Sequence, residues 1–120
     1  MKYALLIYDD QHSWGKLDEQ TKAEIYAEYD KFGAALAEKG QMRGGEELQP
    51  VSTATTVRMR DGKILTTDGP FAETKEQLGG FFLIECDTLD EAIEAAAQIP
   101  SVKRGGTIEV RPLTGAMDHD

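Results

Sequence analysis

A chain of 120 residues and 13.2 kDa is one ordinary domain, and its 40% hydrophobic content can form one core, which excludes disorder and disulfide-stapled scaffolds. Thirteen basic residues against 22 acidic ones give a net charge of −9, with most of the excess in residues 61–120. Such a chain repels polyphosphate and anionic lipid, so neither nucleic acid nor a membrane surface is expected as a direct partner.

The chain begins with an apolar run at residues 3–8, too short for a secretory signal or a membrane span and suited to a strand. Tyr3, Leu5 and Ile7 fall on one face and Ala4, Leu6 and Tyr8 on the other, so a cover is expected on both sides. Residues 9–17 read as a polar loop carrying the only tryptophan, Trp14. Asp18 then has the form of an N-cap, and Ile25, Tyr29, Phe32 and Leu36 recur at helical spacing up to Gly40. Residues 41–48 form a weaker strand, interrupted by Gly44-Gly45.

Residues 55–60 and 63–67 flank Asp61-Gly62, a strong two-residue hairpin signal. That turn pairs Met59 with Ile64, Val57 with Thr66 and Thr55 with Asp68 on one face. Residues 71–78 support at most a turn of helix, and residues 81–86 form another strand that is apolar on both faces. Thr88-Leu89-Asp90-Glu91 is a capping box for a second helix, with Leu89, Ile93, Ala96 and Ala97 inward and Pro100 as the stop. A last strand carries Ile108 and Val110, and residues 114–120 read as a frayed tail after a single domain over 1–113.

This order, β-α-β-(hairpin)-β-α-β, predicts an α+β sandwich of the ferredoxin-like, split-βαβ type with an inserted hairpin. Two helices cover only one face of such a sheet. The expected cover for the other is an identical sheet, which predicts a homodimer resting on Leu5, Ile7, Phe81 and Leu83.

Motif chemistry is sparse. One cysteine and two distant histidines, His12 and His119, offer no zinc spacing, and no phosphate loop, dinucleotide fingerprint or nucleophile elbow occurs, so neither metal nor cofactor is expected. The lone Cys86 cannot pair within the chain, which fits a reducing cytoplasm. The densest polar segment is residues 66–77, and there two readings of Asp68 stand side by side. On the apolar side of the hairpin it would be a partly desolvated general acid or base; as a turn former it would only accept backbone N–H bonds. Gly69, Pro70, Phe71, Glu73 and Lys75 are candidate ligand contacts around it, the pair Glu46-Glu47 is a second acidic candidate, and Trp14 could close the mouth of a cavity. Tyr29 and Phe32 read as core.

The motif Asp68-Gly69-Pro70-Phe71, with the stretch through Phe82, resembles the YCII-related family in the branch named for its D-G-P-F motif. The resemblance also runs through residues 1–8, Gly44-Gly45-Glu46 and Gly105-Gly106-Thr107, and covers about residues 1–113. It implies a dimeric α+β barrel related to cofactor-independent enzymes of cyclic compounds. The wider family has a histidine early in the first helix and an acid late in it; here Glu38 matches the acid, but residues 22–25 contain no histidine. The expected function is therefore a homodimeric small-molecule-binding domain using Asp68 for any isomerase- or lyase-type proton transfer. Association of the branch with extracytoplasmic sigma factors implies an alternative, a non-catalytic sensor with a regulatory partner.

Overall fold

The computed structural model describes residues 1–115. The expected tail from residue 116 on, including His119, lies outside them. The chain forms β1 (Lys2–Asp9), α1 (Gln11–Gly15), α2 (Glu19–Glu38), β2 (Met42–Glu47), β3 (Thr55–Arg60), β4 (Lys63–Asp68), β5 (Gln77–Glu85), α3 (Leu89–Ala97) and β6 (Thr107–Pro112). Strands β2-β5-β1-β6 make one antiparallel sheet, the ferredoxin-like order, while β3 and β4 pair only with each other.

Local chemistry sets most boundaries. Asp18 caps α2 by accepting from Thr21 N at 2.7 Å. Its far end closes through Gly40 N to Ala37 O at 3.0 Å and Gln41 N to Leu36 O at 2.9 Å, the paired bonds of a Schellman motif. Thr88 caps α3 by accepting from Glu91 N at 3.2 Å. The polar loop after β1 contains a short helix instead, because Asp10 caps it through His12 N at 3.0 Å. Strand β5 starts four residues earlier than expected, with Gly79-Gly80 inside it rather than before it. A side chain at Gly45 would come within 2.7 Å of Phe82 Cδ1 and 2.8 Å of Phe81 O, so only glycine lets β2 lie this close to β5.

The core lies between the sheet and the two longer helices. Tyr3, Leu5, Ile7, Ile84 and Cys86 from the sheet meet Phe32 and Leu36 of α2 and Ala92, Ala95, Ala96 and Ile99 of the α3 region. This corrects two expectations. Leu89 and Ile93 are each 49% exposed, and α3 packs inward on alanines that bring it close to the sheet. Leu5 and Ile7 lie beneath the helices, so they cannot belong to an uncovered face. By strand alternation that face holds Ala4, Leu6, Phe81 and Leu83, in cross-strand rows Ala4–Leu83 and Leu6–Phe81. The core helices pack on the opposite face; on this one Ala4 is 8% exposed and Leu6, Phe81 and Leu83 are half-buried.

The hairpin has the predicted register, with Thr55 opposite Asp68, Val57 opposite Thr66 and Met59 opposite Ile64. Asp61 and Gly62 both have positive φ, 53° and 76°, as a type I′ turn requires.

Candidate active site at the end of strand β1

Several elements converge where β1 ends. Asp9 leaves the sheet beside Ser101, which follows α3, and Ser101 Oγ donates to Asp9 Oδ2 at 3.0 Å. The hydroxyl of Tyr29, from the middle of α2, lies 2.5 Å from the same Oγ. Because the serine proton is already given to the carboxylate, the phenol is the donor in this contact, and the chain runs Tyr29 to Ser101 to Asp9. Ser101 is buried, 7% exposed, and Gly106 packs so closely that any side chain there would run into the Asp9 carboxylate.

Tyr29 has two roles in one residue. Its ring belongs to the core, stacked on Phe82 at 6.2 Å, as helical spacing indicates. Its hydroxyl belongs to the polar chain. Burial pushes the phenol above its ordinary pKa, and the charges of Asp9 and Glu47 add to this while the Ser101 contact opposes it.

One turn earlier on α2, the Tyr26 hydroxyl reaches both oxygens of Glu47 at 3.0 and 3.2 Å. Burial and the Glu47 carboxylate raise this phenol as well. Trp14 packs edge-on against Tyr26 at 5.7 Å, with the Lys22 ammonium 5.7 Å from the Trp14 ring centroid. Trp14 thus fixes α1 against α2. The Gln11 side chain accepts from Val51 N at 3.0 Å, tying the start of the hairpin segment to the same rim. Two phenols, two carboxylates and a serine therefore share one end of the sheet, and the phenols stay protonated as hydrogen-bond donors.

The residues singled out by sequence distribute differently. Asp68 ends β4 at the base of the hairpin and is exposed, and its carboxylate has no partner among the described residues. The bend after it is held by the main chain: Gly69 N donates to Ala54 O at 2.7 Å, and Thr56 Oγ1 donates to Gly69 O at 2.7 Å, with Gly69 at φ 102°. The Asp68 carboxylate therefore does not make the turn. Phe71 is 76% exposed, with the Arg58 guanidinium 4.9 Å from its ring centroid. Gly69 and Pro70 are half-buried and Glu73 is exposed. Lys75 contributes to the field at Asp10: burial raises that carboxyl, but hydrogen bonds from His12 and Ser13, and then the Lys75 charge, bring it below the ordinary value. Glu46 pairs opposite Phe81 and, by alternation, belongs to the uncovered face, whereas its neighbour Glu47 is the carboxylate that meets Tyr26.

Glu47 belongs to the acidic pair singled out from sequence, whereas Asp9, Ser101 and the Tyr29 hydroxyl were not identified there. The available signals were an acid placed directly after an apolar strand and a Gly105-Gly106 pair that permits close approach.

A four-stranded antiparallel sheet of this order, with two helices on one face, defines a ferredoxin-like α+β domain. The YCII-related domain matches residues 1–115, and the chain belongs to that family. An uncharacterized protein of Rhizobium meliloti (strain 1021) is 40% identical over 118 residues, covering 94% of this chain and 92% of its own. The 5-chloro-2-hydroxyhydroquinone dehydrochlorinase TftG of Burkholderia phenoliruptrix AC1100, solved in complex with 2,5-dihydroxybenzoquinone, shares the fold at a TM-score of 0.57. It is 18% identical, with both chains covered in full. No helix among the described residues is long and apolar enough to cross a membrane.

Proposed function

We propose that this protein is a homodimer that binds a small hydroxylated or quinone-type ring compound and moves a proton on it without a cofactor. The observation that carries the reading is the Tyr29–Ser101–Asp9 chain, which links a half-buried phenol to a carboxylate through a buried serine. A ligand hydroxyl would give its proton to the Tyr29 oxygen as Tyr29 passes its own to Ser101 and Ser101 passes one to Asp9. The ligand becomes an oxyanion and Asp9 a neutral acid, and Tyr26 beside Glu47 supplies a further donor to the ring substituents. Membership of the YCII-related family, and the quinone held by a protein of the same fold, support this ligand class.

Homodimerisation is supported by the uncovered Leu6–Phe81 and Ala4–Leu83 rows. Asp68 is kept as a second proton-transfer candidate, because its free carboxylate stands on the apolar side of the hairpin, and Gly69, Pro70, Phe71, Glu73 and Lys75 as ligand contacts beside it. No observation on the chain favours the sigma-factor reading over this one.

Titration with a panel of hydroxylated benzoquinones and catechols, beginning with 2,5-dihydroxybenzoquinone, tests the proposal. Wild type should bind at least one at micromolar to millimolar concentration, and Tyr29→Phe should weaken that binding about tenfold, the loss expected of one well-placed hydrogen bond. Asp68→Asn reports separately on the second candidate. No saturable binding across the panel, or equal affinity in Tyr29→Phe, would refute the site.

A further inference from the structure

Among the described residues the β3–β4 hairpin joins no other strand. Its strands pair only with each other, and an isolated two-stranded ribbon is marginal in water. Alternation sorts its side chains into two faces. One holds Val57, Met59 and Ile64, which are 63%, 69% and 66% exposed, together with Asp68. The other carries the hairpin's three basic residues, Arg58, Arg60 and Lys63, beside Leu65, which is 44% exposed. The hairpin carries three basic and two acidic residues, leaving ten basic and twenty acidic ones on the rest of the chain. A ribbon with an apolar face and a basic face therefore stands on an acidic body.

The whole chain is similarly open. Its accessible surface is 8512 Å², against about 6,400 Å² for a compact monomer of 13.2 kDa. The excess of about 2,000 Å² is well above the roughly 800 Å² that each partner contributes to a standard interface. The radius of gyration is 16.4 Å, where a compact chain of this length has about 13.6 Å.

We infer that the hairpin is a clasp: in the homodimer each arm lays its Val57–Met59–Ile64 face on the other copy of the chain. This rests on the homodimer proposed above and goes beyond the stacked sheets by assigning the arm to the interface. The excess area exceeds what one standard interface needs, and the arm's basic face is complementary to the acidic body of a second copy. Asp68 shares the apolar face of the arm, so the same contact encloses its carboxylate and desolvates it. The clasp thereby gives Asp68 the environment that acid–base chemistry needs and that the single chain lacks.

Sedimentation velocity from nanomolar to micromolar chain concentration, with hydrogen exchange at both ends of the range, tests the clasp. The double variant Met59→Asp/Ile64→Asp changes residues that are exposed in the single chain, so its fold should survive, as circular dichroism will report. Its dimer dissociation constant should rise at least a hundredfold, and in wild type the amides of residues 57–65 should gain protection as the dimer forms. Phe81→Arg, on the uncovered sheet face, separates the outcomes. Dissociation by Phe81→Arg with no effect of the arm variant overturns the clasp and leaves the dimer standing. A wild-type chain that stays monomeric throughout overturns both.

Discussion

Ser101 is the hub of a three-residue chain, which makes the stability effects of its members unequal in a defined order. In Tyr29→Phe one contact of 2.5 Å is lost, but Ser101 still donates to Asp9, so no polar atom is stranded. The expected loss is about 1 kcal/mol. Ser101→Ala removes the shared partner and leaves both the Tyr29 hydroxyl and an Asp9 oxygen without it, so the expected loss is about 2 kcal/mol. Adding Tyr29→Phe to Ser101→Ala removes one of the two stranded groups, and the double variant should be no less stable than Ser101→Ala alone. The coupling energy is therefore about 1 kcal/mol, well above the few tenths at which distant sites add. For a chain of this length the single losses correspond to melting-point shifts of roughly 4 °C and 8 °C. Urea unfolding of all four proteins at one fixed chain concentration measures the cycle. Additive losses, or a Tyr29→Phe variant as stable as wild type, would show that the serine does not connect the other two.

Two further outcomes follow from the same fold. Gly45→Ala places a methyl group 2.8 Å from a backbone oxygen that cannot rotate away, so β2 must shift and the melting point should fall by an amount equivalent to about 1–3 kcal/mol; unchanged stability would mean the strands are farther apart. The Tyr29 phenol is raised in the folded chain by burial and the Asp9 charge, so its contribution is fully present below the unfolded value of about 10 and is lost as pH rises through the folded value. Stability measured from pH 8 upward should therefore fall less steeply in Tyr29→Phe than in wild type, and superimposable profiles would refute the shift.

What could be read from sequence and what could not divide on physical grounds. Strand β1, helix α2 and the hairpin register follow from signals that act locally: an apolar run, an aspartate cap with a glycine stop, and an Asp-Gly pair whose positive φ angles admit one turn type. The inward face of α3 was read correctly only at Ala96: Ala92 and Ala95 join it because alanine gives close approach to the sheet without a strong apolar rhythm, whereas Leu89 and Ile93 have the rhythm and are exposed. The polar chain was missed for a different reason. Tyr29 is 72 residues from Ser101, and Ser101 is 92 from Asp9, so no spacing motif can join them; only the fold does.

Asp68 and the uncovered strands form a third case, and they point the same way. Pattern placed Asp68 on an apolar face and assigned Phe81 and Leu83 to a face needing cover, and register and alternation agree on both, yet the single chain encloses neither site. Apolar alternation is selected by burial in the state in which the protein works, which for an obligate assembly is the complex and not the free chain. Where the pattern demands burial and the single chain withholds it, the proposed homodimer is what would supply the missing surface. Here that deficit falls on the sheet face and on the hairpin arm together, so one association event would satisfy both.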